Sequence, residues 1–170
     1  MNVEEIVQRF SEEGYEVWVK ERLAGVKNKA NKVSIWVTVD REKIREAVEK
    51  MISIAEEFPH FSIISASDLG DTVELNYHFT VDYGKNLDEK IISFKVSLPK
   101  NDLKIKSITP LIPSAIFSER EIKEMMGVEI EEIPDDRHMF LTKDFPDGVY
   151  PWRRDETSPK ETNKLYESWR

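Results

Sequence analysis

The hydrophobic residues in the first part of the chain follow two spacings, one typical of helices and one typical of strands. A helical stripe begins after Asn2, which together with Glu5 resembles a capping box, and Gly14 is a candidate stop. A longer stripe follows Asp40, a candidate cap, and is predicted to end at Pro59 because proline cannot continue a helix. The longer stripe consists of Ile44, Ala47, Val48, Met51, Ile52, Ala55 and Phe58. The pattern therefore predicts two amphipathic helices.

Five segments have the properties of strands. They span residues 15–20, 32–39, 61–65, 73–81 and 92–98. In the fourth segment the apolar residues occupy the odd positions, and Glu74, Asn76, His78 and Thr80 are predicted to face the opposite side. Such alternation is typical of antiparallel sheets with one face in solvent. The predicted fold class is α+β, a two-layer sandwich of a mostly antiparallel sheet covered by helices, with an extended C-terminal tail.

The domain boundaries follow from this pattern. Residues 1–112 are predicted to form the α+β domain, and residues 99–113 are its connector to a capped helix at residues 113–127. Ser118 and Glu121 fit a capping box, and Gly127 fits the position after the helix end. Ile122, Met125 and Met126 form the apolar stripe of this helix. Glu119–Lys123 and Arg120–Glu124 have the spacing of surface ion pairs.

Residues 128–170 form the extended tail, which has no hydrophobic periodicity. Large apolar side chains are nevertheless present, namely Met139, Phe140, Leu141, Phe145, Tyr150 and Trp152. A disordered segment seldom contains so many large apolar groups, and a compact domain seldom contains so long an irregular segment. The tail is therefore predicted to bind a partner protein.

The amino-acid composition disfavours some classes of partner and excludes several kinds of chemistry. The net charge of −8 disfavours nucleic acid and anionic membranes as direct partners. The absence of cysteine excludes disulfides, thiolate catalysis and cysteine-ligated clusters. No secretory signal and no apolar run of about 18 residues is seen, so we expect an intracellular chain that reaches a membrane only through partner subunits.

Two other functions stay open at this point. His60, His78 and His138 lack metal-binding spacing, and His78 is predicted to be a solvated strand residue. An acidic run consists of Glu129, Glu131, Glu132, Asp135 and Asp136, and we expect it to face solvent or a partner. A small acid–base enzyme using His78 or this run is one alternative, and a soluble protein-interaction adaptor is the other.

An ordered string in the C-terminal third resembles the signature of a known family. Its residues are Ala115, Phe117, Glu119, Arg120, Glu121, Met125, Gly127, Val128, Pro134, Asp135, Arg137, Leu141, Asp144, Gly148, Pro151, Arg153 and Asp155. They resemble the C-terminal signature of the 30-kDa subunit family of respiratory complex I, which also supplies subunits of membrane-bound nickel–iron hydrogenases and related ferredoxin-dependent complexes. Phe117 in place of the usual Trp, and Glu132-Ile133-Pro134 in place of G-H-P, favour the archaeal hydrogenase-type branch.

The resemblance implies a non-catalytic scaffold subunit in the cytoplasmic arm of a membrane-bound, ion-translocating oxidoreductase. The chain would bind no cofactor, and iron–sulfur clusters, with nickel–iron in the hydrogenase branch, would lie in its partners. Those partners would be the large hydrogenase-like (complex I 49-kDa-like) subunit, which the chain would clamp, and a neighbouring iron–sulfur subunit, at the cytoplasmic face of the cell membrane. The predicted partner-interface residues are Glu119, Arg120, Glu121, Arg137, Phe145, Trp152, Arg153, Arg154 and Asp155.

Overall fold

A five-stranded sheet with helices against it forms the body of the protein. The computed structural model describes residues 2–26, 29–85 and 88–159. The helices are α1 (Val3–Glu12), α2 (Ile44–Ile54) and α3 (Ile116–Met126). Short 3-10 turns, Arg41–Lys43 and Pro113–Ala115, precede α2 and α3. The strands are β1 (Glu16–Ala24), β2 (Ala30–Thr38), β3 (His60–Asp68), β4 (Thr72–Val81), β5 (Lys90–Pro99), β6 (Lys104–Lys106) and β7 (Glu129–Glu131).

The strand order in the main sheet is β1-β2-β5-β4-β3. Three of its pairings are antiparallel, and the central β2–β5 pair is parallel. The predicted fold class is therefore confirmed, as a mixed architecture with a mostly antiparallel sheet and three helices. A further two-stranded parallel pairing of β6 with β7 was not predicted, because each strand has only three residues.

The core lies between the helices and one face of the sheet. Phe10 of α1 and Phe79 of β4 each approach the Phe94 ring edge-on, with 5.7 Å between ring centroids. The three rings are fully buried, as are Ile44 and Met51 of α2. Burying a side chain of this size contributes about 1.5–3 kcal/mol. The odd-numbered residues of β4 thus face the core, as the alternation predicts.

The first two helices differ in how well the sequence predicts their ends. The Asn2 side chain accepts a hydrogen bond from the Glu5 N–H at 2.7 Å, as the capping box predicts. Helix α2 ends at Ile54, so the prediction that it continues to Pro59 is wrong. The backbone is already extended at Ala55, and Phe58 is 64% exposed. Asp40 precedes a 3-10 turn and makes no side-chain cap bond.

The predicted capping box of α3 is also wrong. The helix begins at Ile116, directly after the Pro113–Ala115 turn, and Ser118 lies within the helix. The preceding 3-10 turn leads the chain into the helix, and Ala115 at its start makes no side-chain cap bond. Gly127 is the predicted end residue, and its φ of +69° is left-handed, which glycine adopts without a Cβ penalty.

The region predicted as a connector and an extended tail contains two short strands. Strand β6 lies in the connector, and β7 lies at the start of the predicted tail. The Ser107 N–H also donates to the Glu131 carbonyl at 2.8 Å. The part of the predicted 128–170 tail that the structure describes ends at residue 159, and residues 160–170 lie outside the described residues.

Candidate partner interface

The irregular segment after β7 lies along helix α3 and contacts it at several positions. Arg120 binds the backbone near Arg137, and Glu124 binds the backbone at residues 139–141. The Trp152 N–H donates to the Met125 carbonyl at 3.0 Å. We call residues 134–157 the strap. Because its contacts recur along α3 from Arg120 to Met125, the strap has a defined path despite its lack of regular structure.

Glu124 is the central attachment point. Its carboxylate accepts the N–H groups of Met139, of Phe140 at 2.9 Å and of Leu141 at 3.3 Å. The Glu124 side chain is only 4% exposed. Three successive N–H groups converging on one carboxylate resemble the nests in which backbone amides bind anions. The carboxylate thus replaces the backbone partners that a helix or sheet would supply.

Arg120 and Asp135 fix the beginning of the strap. Arg120 Nε donates to the Arg137 carbonyl at 2.8 Å, and its Nη2 donates to the His138 carbonyl at 3.2 Å. Asp135 accepts two bonds from the Arg137 guanidinium, at 2.9 and 2.7 Å. These bonds hold the pKa of Asp135 far below its usual range. Charged groups therefore bind main-chain atoms here in place of hydrophobic packing.

The end of the strap is attached to the sheet by a group of charged residues. Lys100 contacts Asp68 at 2.7 Å and Asp155 at 2.6 Å. Asp68 also accepts the Arg154 N–H at 2.8 Å and the Gly70 N–H at 3.0 Å. Burial alone would raise the pKa of Asp68, but the bonds from Lys100 and the two N–H groups outweigh burial and lower it.

The same balance holds at Asp155. Burial would raise the pKa of its carboxyl group, whereas the bonds from Lys100 and Thr157 lower it well below the usual range. Both aspartates therefore remain ionised at neutral pH. The strap end is bound to the turn between β3 and β4, far from it in sequence.

Glu119 lies inside the protein. Its side chain is fully buried, accepts the Ser107 hydroxyl at 2.6 Å and accepts the Ile108 N–H at 2.7 Å. Burial raises the pKa of this carboxyl group, although both bonds oppose the shift. The prediction of Glu119 as a partner contact is wrong, because no part of its side chain reaches the surface. The predicted Glu119–Lys123 ion pair is also wrong, and Lys123 pairs with Asp136 at 3.0 Å instead.

The other predicted interface residues divide between inward and outward positions. The Arg153 side chain is 8% exposed, lies over the Tyr150 ring and approaches Asp155 at 3.3 Å, so little of it can meet a partner. Asp155 is committed to Lys100 and Thr157. Trp152, Arg154 and Arg137 face solvent, whereas Glu121 and Phe145 are half-buried. The predicted Arg120–Glu124 pair does not form, because each side chain binds the strap.

Aromatic side chains on this side of the protein are exposed. Phe117 is 60% exposed, Phe140 56% and Trp152 43%. A cavity of about 390 Å³ opens between the end of α3 and the strap, where Leu141, Phe145 and Tyr150 line it. A rigid surface with exposed rings and an apolar recess has the composition of a protein-binding site.

The alternative catalytic groups are dispersed and already bonded. Both ring nitrogens of His78 contact serine hydroxyls, Ser65 at 2.9 Å and Ser93 at 2.8 Å. His78 is thus half-buried and not solvated as predicted, and burial lowers its pKa. In the acidic run, Glu129 pairs with Lys104 at 2.9 Å and Glu132 with Arg45 at 2.7 Å. The described residues contain no group of three or more acidic or histidine side chains that could hold a metal.

Glu124, Asp68 and Lys100 are the important residues that sequence reasoning missed. Asp68 precedes the turn between β3 and β4, and its bond to the Gly70 N–H is a common aspartate turn contact, so a local signal exists. Glu124 and Lys100 have no comparable signal, because their partners are more than ten residues away.

Among the described helices, none has the length and apolar character required to cross a bilayer.

Comparisons with known proteins agree on one family. The profile described as "Respiratory-chain NADH dehydrogenase, 30 Kd subunit" matches residues 37–162. The membrane-bound hydrogenase subunit beta of Pyrococcus furiosus is 33% identical over 129 residues, covering 76% of this chain and 73% of that protein. Formate hydrogenlyase subunit 5 of Escherichia coli is 29% identical over 125 residues. The match covers 71% of this chain but only 22% of that longer protein.

A solved structure has the same fold. A chain of the membrane-bound sulfane sulfur reductase, an archaeal respiratory membrane complex, superposes with a TM-score of 0.71. Sequence identity is 20%, and the superposition covers 98% of this chain and 90% of the other. The overlap therefore includes the strap as well as the sheet.

Proposed function

Because this chain belongs to the family of the 30-kDa subunit of respiratory-chain NADH dehydrogenase, we propose that it is a non-catalytic scaffold subunit of a membrane-bound, ion-translocating oxidoreductase. Its relatives are named as subunits of hydrogenase and NADH-quinone oxidoreductase complexes. The chain holds the large catalytic subunit at the surface formed by α3 and the strap. The assembly is attached to the cytoplasmic face of the membrane by its other subunits.

The observation that carries this proposal is the preorganised strap. Glu124, Arg120 and Asp68 hold an irregular backbone in one path, and Phe140 and Trp152 project from it. Ordering a segment before binding reduces the entropy lost on association, so more of the contact energy is available for affinity. A segment ordered only for its own stability would bury these rings.

The proposal assigns separate roles to the charged residues. Those that face inward, Arg120, Glu124, Arg153 and Asp155, position the strap and do not contact the partner themselves. Trp152, Arg154 and Arg137 supply the contacts, because tryptophan and arginine dominate the energetics of protein interfaces. Trp152 is the central contact, and Arg137 and Arg154 pair with carboxylates of the large subunit.

The chain contributes no redox chemistry in this proposal. Iron–sulfur clusters, and nickel–iron in a hydrogenase, belong to the large subunit and its iron–sulfur neighbour. The purified chain should show no visible absorbance and no stoichiometric iron, nickel or flavin. Finding any of these in the isolated protein would overturn the non-catalytic assignment.

The docking surface is tested by truncating Trp152 in a tagged chain expressed in its source cell. Trp152→Ala should weaken association by at least about 2 kcal/mol, a typical hot-spot value, and reduce recovery of the large subunit more than tenfold. Phe58→Ala is the matched control, because Phe58 is also an exposed ring but lies between α2 and β3, outside the strap and the turn that holds it. Equal recovery of the large subunit with both variants would contradict the proposal.

A further inference from the structure

The sheet has an outer face that no described helix covers. Helices α1, α2 and α3 pack on the inner face, and several outer residues of β1, β2 and β5 are exposed. Trp18 is 42% exposed, and Ile91 is 41% exposed. The strap surface is formed by α3 and the strap, whereas this face is formed by strands of the sheet. A partner on this face would therefore bind independently of the surface proposed above.

Two stacked tryptophans lie on the outer face, towards its β1 edge. Trp18 of β1 and Trp36 of β2 are directly paired in the sheet, and their rings are parallel with centroids 5.0 Å apart. His78 of β4 meets Trp36 edge-on at 5.7 Å, and Ser65 and Ser93 hold the imidazole in place. The rings are thus fixed in one arrangement and need little reordering to bind a partner.

A groove beside the tryptophans carries positive charge. It has a volume of about 450 Å³, and its floor includes Trp36 and Ile91. Lys20, Arg22 and Lys32 line the groove with a single carboxylate, Glu89, which lies 3.6 Å from Lys32. Within the part of the chain that the structure describes, Lys20 and Arg22 form no ion pair.

The charge of the groove differs in sign from that of the whole chain, which is −8. A local excess of cations in an acidic protein attracts carboxylates over several ångströms and sets the orientation of a docking partner. A polyphosphate backbone carries a charge at every phosphate along its length, but the groove offers only three cations, Lys20, Arg22 and Lys32. The groove therefore fits an acidic protein segment that also carries an apolar side chain for Trp36 and Ile91.

We propose that the outer face of the sheet is a second docking surface, which binds an acidic segment of a neighbouring protein subunit through Trp18, Trp36, Lys20 and Arg22. Carboxylates of that segment pair with Lys20 and Arg22, and an aliphatic or aromatic side chain packs beside the indoles. This second surface would add a contact to the proposed assembly. It rests on the proposed function only in that the neighbouring subunit belongs to that assembly.

The test places a photo-crosslinking residue in the groove. Ile91 is replaced by p-benzoyl-phenylalanine in the chain as it is expressed in its source cell, and crosslinks are formed before lysis. Mass spectrometry then identifies the crosslinked peptide. We expect a peptide from another protein in which Asp and Glu outnumber Lys and Arg.

Charge reversal establishes whether the contact depends on the groove. Lys20→Glu with Arg22→Glu should reduce the crosslink yield at least tenfold. Arg9→Glu with Lys43→Glu reverses the same number of charges on the helical side and should leave the yield unchanged. Thermal unfolding of each purified variant verifies folding, and Lys20→Gln with Arg22→Gln replaces the reversal if folding is impaired, with a smaller reduction expected.

Each other outcome overturns the inference. These outcomes are no crosslink, a crosslink to a second copy of this chain, to nucleic acid or to lipid, a neutral or basic peptide, or a yield insensitive to the reversal. Because crosslinking precedes purification, the result does not require the large subunit to be recovered. Failure of the strap surface would appear in the Trp152 experiment, and failure of the groove would appear here.

Discussion

The sheet-and-helix body and the strap are stabilised by different interactions. In the body, Phe10, Phe79 and Phe94 pack against one another and are removed from water. In the strap, Glu124 and Asp68 bind backbone N–H groups, and much of the apolar surface stays exposed. Apolar burial stabilises the body regardless of which apolar side chains touch one another. The strap, in contrast, depends on a few directional hydrogen bonds.

This difference bears on function. A surface for a partner must keep apolar groups in water until assembly, so apolar burial cannot also hold that surface in shape. Charged side chains that bind the backbone meet both requirements, because they fix the path of the chain and leave Trp152 and Phe140 exposed to solvent. The strap is therefore expected to be ordered yet easier to release than the sheet.

The largest expected effect comes from the body. Phe94→Ala should lower the free energy of unfolding by about 3–5 kcal/mol, because a fully buried ring leaves a cavity that its neighbours cannot fill. Urea denaturation of the purified chain measures the loss. Phe117→Ala, at a 60% exposed ring, should change it by less than about 0.5 kcal/mol. Similar losses in both variants would remove the distinction between the two kinds of stabilisation.

The next effect is confined to the strap. Glu124→Ala removes the acceptor of three N–H groups, and bonds to charged groups contribute about 1.5–3 kcal/mol each in favourable cases. Amide exchange at residues 139–141 should accelerate at least tenfold, while that of β4 stays close to its original rate. Glu121→Ala on the same helix is the control and should leave residues 139–141 protected. Uniform acceleration throughout the chain would instead indicate that strap and sheet unfold together.

Sequence reasoning succeeds in the body and fails in the strap for a physical reason. Apolar burial imposes a period on the chain, so the odd positions of Val73–Val81 reveal the sheet without knowledge of its partners. The bonds from Glu124 and Asp68 to the strap join residues 15 to 86 positions apart and leave no period. The partners of Glu119 are hidden from the sequence for the same reason, since its spacing suggests Lys123 while the folded connector supplies Ser107 and Ile108.

Alanine substitutions at two glycines can distinguish the effect of backbone strain from the effect of a clash with the strap. Gly127 and Gly14 both have positive φ, +69° and +83°. A Cβ at Gly127 would lie 2.5 Å from the Tyr150 ring, whereas one at Gly14 would meet nothing within 4 Å. Each alanine variant should lose about 1–2 kcal/mol from the left-handed backbone. Only Gly127→Ala should also displace Tyr150 and increase proteolysis near residue 150, and equal proteolysis in both variants would contradict the packing of the strap on α3.

Acidification is the mildest way to test the comparison, because it changes only protonation. The pKa values of Asp68 and Asp155 are lowered in the folded chain, so their contribution to stability is present above the ordinary aspartate value of about 3.9 and is lost as the pH falls through the lowered values. Glu119 behaves in the opposite sense. Its pKa is raised, so its contribution is greatest in acid and falls as the pH rises.

The strap end should therefore detach below about pH 4, while the connector and the sheet remain folded. Fluorine NMR of 5-fluorotryptophan protein reports this directly, since Trp18 and Trp36 lie on the sheet and Trp152 lies on the strap. The Trp152 resonance, assigned with a Trp152→Phe variant, should shift at a higher pH than the Trp18 and Trp36 resonances. Trp169, the fourth tryptophan, lies outside the described residues, and its resonance is not used. Asp68→Asn should move that transition towards neutral pH, because the amide cannot replace the charge opposite Lys100, whereas Asp71→Asn in the adjacent turn should not. If the Trp18, Trp36 and Trp152 resonances shift together in the wild-type chain, the strap and the sheet form one cooperative unit, and the contrast in how they are held has no consequence for release of the partner surface.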